Sequence, residues 1–272
     1  MARWTLDDIS WDRFVADEAD PEIVKIVKAA AMVEYNSAEY ADYLCNVFAD
    51  DPAFQAAARD WAGEEIQHGL ALRRWAEIAD PGFDFDAAFK RFVEGYQQVP
   101  PDARESVRGS RTGELIARCV VEVGTSSYYS ALRDAVREPA LREICHRIAG
   151  DEFRHYKLFL THLRRYQDSE GVALLARLKV ALGRLAESED DELAFAYYCG
   201  AGETRDYERA RFTREYERRA LPLYRYDHVR RGLGMVLKAV GLRPQGGLAR
   251  AAVAMGWWLM RRRVRRLEAT PV

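Results

Sequence analysis

Residues 139–166 read PALREICHRIAGDEFRHYKLFLTHLRRY. Their apolar side chains recur at three and four, the period of a helix with one buried face. Leu141, Ile148 and Phe159 lie on that face, and so do Glu152 and His155. Residues 52–79, PAFQAAARDWAGEEIQHGLALRRWAEIA, repeat the pattern, with Phe54, Trp61, Leu72 and Trp75 sharing a stripe with Glu65 and His68. Each segment opens on proline, which suits the first position of a helix. An ionisable pair in the middle of an apolar stripe is costly, because a desolvated carboxylate loses several kcal/mol unless a cation compensates it.

Two further segments carry the same oddity. Helix A, residues 21–48, aligns Val27, Ala30, Glu34, Ala41 and Cys45, with Asp20 as its N-cap and Pro21 at its first position. Helix C, residues 112–137, aligns Leu115, Cys119, Glu122, Ser126 and Tyr129. With helix B running from the Asp50-Asp51-Pro52 turn to about Ala79 and helix D over 139–166, these are four helices of roughly 27 residues, or ~40 Å each. A–B and C–D are joined by short turns, while a long connection containing a short helix (85–98) and Pro100-Pro101 links B to C. No stretch reads as a strand. The expected fold is all-α: a ferritin-like four-helix bundle over 21–168, preceded by an N-terminal segment (1–20) and followed by additional helices over 169–272. Those later helices are expected to break near Pro222, Gly232 and Pro244.

Glu65 and His68, like Glu152 and His155, form a Glu-x-x-His pair, and an i, i+3 spacing points both groups to one side of a helix. One such pair is a weak signal. Two, in helical hairpins that each add a lone glutamate (Glu34 and Glu122), form an internal repeat that brings four carboxylates and two imidazoles face to face. That is the inventory of a dinuclear carboxylate site. Mixed oxygen and imidazole donors suit two iron ions, or manganese with iron, better than zinc. Glu64 and Asp151 precede the paired glutamates. Metal-bound histidines usually donate their other ring N–H to a carboxylate, and these acids are candidates for that part, each serving the histidine of the opposite hairpin. The alternative is a solvated acid beside the stripe. The small residues near Glu34 and Glu122, among them Ala30, Ala38, Gly124 and Ser127, allow either a substrate cavity or close helix packing.

Glu34, Glu64-Glu65-Ile66-Gln67-His68-Gly69, Glu122 and Asp151-Glu152-Phe153-Arg154-His155 resemble the ligand motifs of the ferritin-like diiron-carboxylate oxidases, and most of all those of the soluble acyl–acyl carrier protein desaturases. The resemblance covers residues 21–166; the basic C-terminus has no counterpart in it. It implies that Glu65 and Glu152 bridge two irons, that Glu34 and Glu122 are terminal ligands, and that Thr125 acts near the oxygen-binding side. It also implies an O2-dependent oxidoreductase that desaturates or hydroxylates an apolar, fatty-acyl or acyl-carrier-bound substrate. The alternative is an iron-handling or peroxide-scavenging protein of rubrerythrin type. No rubredoxin-like cysteine pairs are present, so electrons would come from a separate donor protein.

Charge bounds the partners. The 41 Lys+Arg and 43 Asp+Glu of the 272-residue chain leave a net charge of −2, which disfavours nucleic acid. From Glu203 onward, however, 17 basic residues face 7 acidic ones. Residues 251–260 carry no charge and include Trp257 and Trp258, and Arg261-Arg262-Arg263-Val264-Arg265-Arg266 follows. A terminal helix of this kind either packs on the bundle with its arginines in water, lies on an anionic membrane surface, or docks an acidic partner. Four dispersed cysteines and an acidic N-terminal stretch (MARWTLDDISWDRF) lead to an expected cytoplasmic location, peripheral at the inner membrane face if the membrane reading holds. Oligomeric state stays open, a homodimer included.

Overall fold

The computed structural model describes residues 4–96, 103–187, 191–203 and 205–269. Gln97, Gln98 and the Pro100-Pro101 loop, read above as the end of a short helix and its connection, lie outside them. Among the described residues the chain is all-helical, with no strand.

Helix starts follow local chemistry. The Asp20 side chain accepts from the Glu22 amide to open α1 (Pro21–Tyr35). Asp51 does the same from Phe54 at the head of α3 (Pro52–Ala79), and Ser110 from Gly113 at the head of α5 (Arg111–Ala135). Such caps satisfy amides that have no partner within the helix. Glu138 caps α6 (Pro139–Glu170), which runs one turn beyond the expected Tyr166 and stops where Gly171 takes a left-handed φ of 62°. A shorter helix, α4 (Phe85–Gly95), follows α3.

Helix A is not continuous. It divides into α1 and α2 (Ser37–Val47) at Asn36, whose amide bonds back to the carbonyls of Met32, Val33 and Glu34. The interruption falls two residues after Glu34. Beyond Gly171 the chain forms α7 (Leu174–Glu187), α8 (Asp191–Gly200), α9 (Arg209–Ala220), α10 (Tyr226–Ala239) and α11 (Gly247–Ala269). Breaks occur at Pro222, in a 3-10 turn, and around Pro244, but Gly232 lies inside α10. Its role is close approach rather than breaking. A Cβ there would stand 3.0 Å from Ser127 Oγ and 3.3 Å from a methyl of Val123, so the bare backbone lets α10 settle on α5.

α1 and α2 pack on α3, α5 packs on α6, and α3 packs on α6. The later helices clothe this unit, with α7 and α10 on α5, α8 on α1, and α11 on α10 and α9. The apolar core lies in two parts. One holds Val27, Met32, Trp75, Leu132 and Ile148; the other holds Tyr43, Phe54, Trp61, Cys119 and Phe159. Along α3 the first part takes residues 71–76 and the second takes 54–62; along α6 they take 140–149 and 156–163. Between them lies a buried polar layer at the level of Glu65, His68, Glu152 and His155.

The N-terminal segment is folded onto this frame in three 3-10 turns. The Val15 amide donates to Glu138 and the Ser10 amide to Glu143, while Arg147 donates to the Asp8 carbonyl. Trp4 and Ile9 are buried by these contacts.

Candidate metal centre

Six side chains make up the polar layer: Glu34 from α1, Glu65 and His68 from α3, Glu122 from α5, and Glu152 and His155 from α6. None is more than 6 % exposed. They form two overlapping groups whose donor atoms lie within 4.8 Å of one another, one of Glu34, Glu65, His68 and Glu152, the other of Glu65, Glu122, Glu152 and His155. Glu65 and Glu152 belong to both.

Each imidazole turns Nδ1 inward. That of His68 is 3.4 Å from Glu65 and 3.3 Å from Glu152, and that of His155 is 2.9 Å from Glu65 and 3.8 Å from Glu122. Each Nε2 turns outward to a carboxylate of the other hairpin: His68 to Asp151 at 3.1 Å, His155 to Glu64 at 3.0 Å. Arg154 joins the two outer acids, donating to Glu64 at 3.1 Å and to Asp151. Anchoring Nε2 to a carboxylate sets the ring orientation and leaves Nδ1 as the lone-pair nitrogen when the ring is neutral.

Four atoms of the layer are buried without a hydrogen-bond partner: Nδ1 of His68, Nδ1 of His155, Oε2 of Glu122 and Oε1 of Glu152. All belong to the six inward groups. Unsatisfied polar atoms of this kind are rare in folded proteins and call for a specific explanation. The charges tell the same story, since among the described residues four buried carboxylates meet a single permanent cation, the Arg118 guanidinium that donates to Glu122. Oxygen-rich donors, two imidazoles and excess negative charge fit a metal cation.

Burial and neighbouring charge act unevenly on the groups of the layer. Burial, reinforced by the neighbouring Glu65, pushes the Glu34 carboxyl well above its ordinary range. Burial likewise raises Glu122, which Arg118 only partly offsets. Burial disfavours charge on His68, but the hydrogen bond to Asp151 and the nearby carboxylates of Glu152, Glu34 and Glu65 outweigh it and raise the imidazole well above its usual value. His155 moves the same way, with Glu65 as the largest opposing influence.

Thr125, one turn beyond Glu122 on α5, donates to Glu152 on α6 at 2.5 Å. Three neighbours were not singled out by their pattern. Tyr129 falls on the core stripe, yet its hydroxyl donates to Glu34 at 2.6 Å. Arg118 stands one turn before Glu122, a spacing that could have flagged it, and its guanidinium lies over the rings of Tyr40 and Trp61 at 4.7 and 4.4 Å. Trp4 comes from the N-terminal segment, 30 residues before Glu34, the first residue of the site. Its indole donates to Asp151 at 2.7 Å, and its ring stacks on His68 with centroids 5.9 Å apart. Two other histidines lie outside the layer: His162 packs edge-on against Phe54, and His228 pairs with Asp134. Cys119 and Cys145 are buried free thiols.

Gly69 follows His68 at a close approach of α3 to α1. A Cβ there would lie 2.7 Å from both the Cβ and the amide nitrogen of Tyr35. Only glycine lets α1 approach α3 this closely beside Glu34. Comparison with protein-family models and with curated proteins finds no match.

Proposed function

We propose that the polar layer is a dinuclear carboxylate–histidine metal centre in a ferritin-like four-helix bundle, and that the protein is an O2-dependent oxidoreductase acting on an apolar, fatty-acyl or lipid-like substrate. The observation that carries this reading is the pair of overlapping donor groups sharing Glu65 and Glu152. Two shared carboxylates between two histidine-capped groups suit two adjacent metal ions better than one. Glu34 and His68 would complete one side, Glu122 and His155 the other. Two iron ions, or manganese with iron, match these donors. Such a pair, if bound and reduced by a separate electron donor, would pass electrons to O2 and so let the activated oxygen oxidise an unactivated C–H bond.

The chain's own residues set the conditions. Asp151 and Glu64 hold the histidines with Nδ1 facing the carboxylates. Arg118 offsets one negative charge at Glu122. The Thr125 hydroxyl carries a proton at Oγ1 against Glu152 Oε2, and Tyr129 carries one at its phenolic oxygen against Glu34, so both carboxylates have a donor that can follow changes in their charge. The two apolar cores keep bulk water from the layer, which strengthens every interaction inside it.

The test is metal content by mass spectrometry after anaerobic Fe(II) loading and desalting, followed by O2 uptake with a reductant. Two irons per chain, with uptake that depends on an added acyl substrate, is the expected result. One iron or none in a folded chain removes the dinuclear reading. Rapid turnover of peroxide with Fe(II) alone, indifferent to acyl substrate, places the protein among iron-handling proteins instead.

A further inference from the structure

α10 and α11 enclose, with α6, a cleft of about 780 Å³. Its α6 wall includes Phe153 and Tyr156, each the next residue after a member of the polar layer, and the Tyr156 hydroxyl ties α6 to α10 by donating to the Met235 carbonyl at 2.8 Å. Five cations line the cleft, Lys157, Arg230, Arg231, Lys238 and Arg250, and no carboxylate does. Arg230 meets Asp227, which is not in the lining, and Arg231 lies over the Phe153 ring at 5.3 Å. Lys157, Lys238 and Arg250 have no ion pair among the described residues. The remaining surface is largely apolar, with Phe153, Met235, Ala249 and Val253 among its residues.

A concave site of this size, apolar within and ringed by five cations of which three have no ion pair among the described residues, selects a molecule with an anionic head and a hydrocarbon body. We propose that the cleft binds an anionic phospholipid at a membrane surface, its phosphate among the cations and the first part of an acyl chain against Met235 and Val253. A free phosphate ester would satisfy the cations alone. A bilayer is favoured by α11, which turns Ala249 and Val253 inward but leaves Leu248, Met255, Trp258 and Leu259 at 89, 56, 48 and 52 % exposure. These apolar side chains precede Arg261, Arg262, Arg265 and Arg266 on the same helix, the composition of a segment that rests in an anionic interface. No helix among the described residues is long and apolar enough to cross the bilayer, so the contact is peripheral. This inference does not rest on the metal reading.

The experiment is cosedimentation of the full chain with phosphatidylcholine vesicles, with and without phosphatidylglycerol. Binding that requires phosphatidylglycerol is expected. A basic residue close to an anionic surface contributes about fivefold to binding, so the Arg231→Glu/Lys238→Glu variant should bind about twentyfold more weakly or worse. Arg59→Glu/Lys90→Glu, an equal charge change outside the cleft, should cost far less. Wild-type chain that ignores the anionic vesicles, or cleft and control variants that weaken alike, would overturn the proposal. Monomeric dihexanoyl phosphatidylglycerol should displace the chain from vesicles where inorganic phosphate at equal concentration does not. Equal displacement by inorganic phosphate would overturn the lipid assignment in favour of a phosphate-ester site.

Discussion

Nε2 of His68 on α3 donates across 3.1 Å to Asp151 on α6, 83 residues further along the chain. Its mirror, His155 to Glu64, crosses the same helix pair in the opposite sense. Each hairpin thus orients the other's imidazole. Burial works against charge on Asp151, but the bond to His68, with Arg154 and the Trp4 indole, holds its carboxyl below the ordinary range.

Asp151→Asn keeps the shape and removes the charge that anchors the ring. Apparent metal affinity should fall about 10- to 100-fold, with helix content unchanged. Titration with Fe(II) or Mn(II), read by isothermal calorimetry, measures this. Affinity within twofold of wild type would show that Asp151 does not act through His68. Trp4→Phe, which keeps an aromatic ring but removes the N–H bond to Asp151, should cause a smaller loss in the same direction.

Glu152→Ala and His155→Ala should each lower bound metal in a loaded sample. In the wild-type chain, metal at 100 times its dissociation constant should raise unfolding stability by about 2.7 kcal/mol, and a chelator should reverse the gain. Differential scanning calorimetry with and without metal reads both effects. A melting temperature indifferent to metal would exclude a centre that binds only the folded chain.

Gly69→Ala forces a Cβ to within 2.7 Å of the Tyr35 backbone, where no flexible side-chain tip can move aside. A loss of about 1–3 kcal/mol in urea unfolding is expected, the usual cost of overpacking. Gly63→Ala, six residues earlier on α3 with open space around it, is the matched control and should be neutral or slightly stabilising.

Asp51 links acid stability to the start of α3. Burial opposes its charge, but the Phe54 amide, the Tyr166 hydroxyl and Arg165 together lower its folded pKa below the unfolded value. A lowered folded pKa contributes stability that is present above the unfolded value of about 4 and is lost as pH falls through the folded one. Asp51→Asn should therefore cost stability at pH 7, by about 1 kcal/mol with the cap partly kept, and little below pH 3. Urea midpoints measured across that range follow the difference; an equal loss at both ends would contradict the ionic contribution.

Helical class, the capped start at Asp20 and the convergence of two Glu-x-x-His helices were legible in the order of residues, because each rests on spacing within a single helix. Polar groups set in an apolar stripe had to meet one another, since no isolated helix could have compensated them. What lay beyond local spacing was decided by packing between segments. The unbroken run through Gly232 follows from the seating of α10 on α5, since glycine permits close approach as readily as it ends a helix. Tyr129 and Trp4 read as ordinary apolar positions; only the juxtaposition of α5 with α1, and of the N-terminal segment with α6, brings their polar atoms to Glu34 and Asp151. The cleft behind Glu152 is likewise a product of tertiary structure alone. Its five cations come from three helices, spread over 94 residues of chain from Lys157 to Arg250, and no local pattern gathers them. A carboxylate's desolvation cost is written into its own helix, whereas the group that relieves it is chosen by the fold.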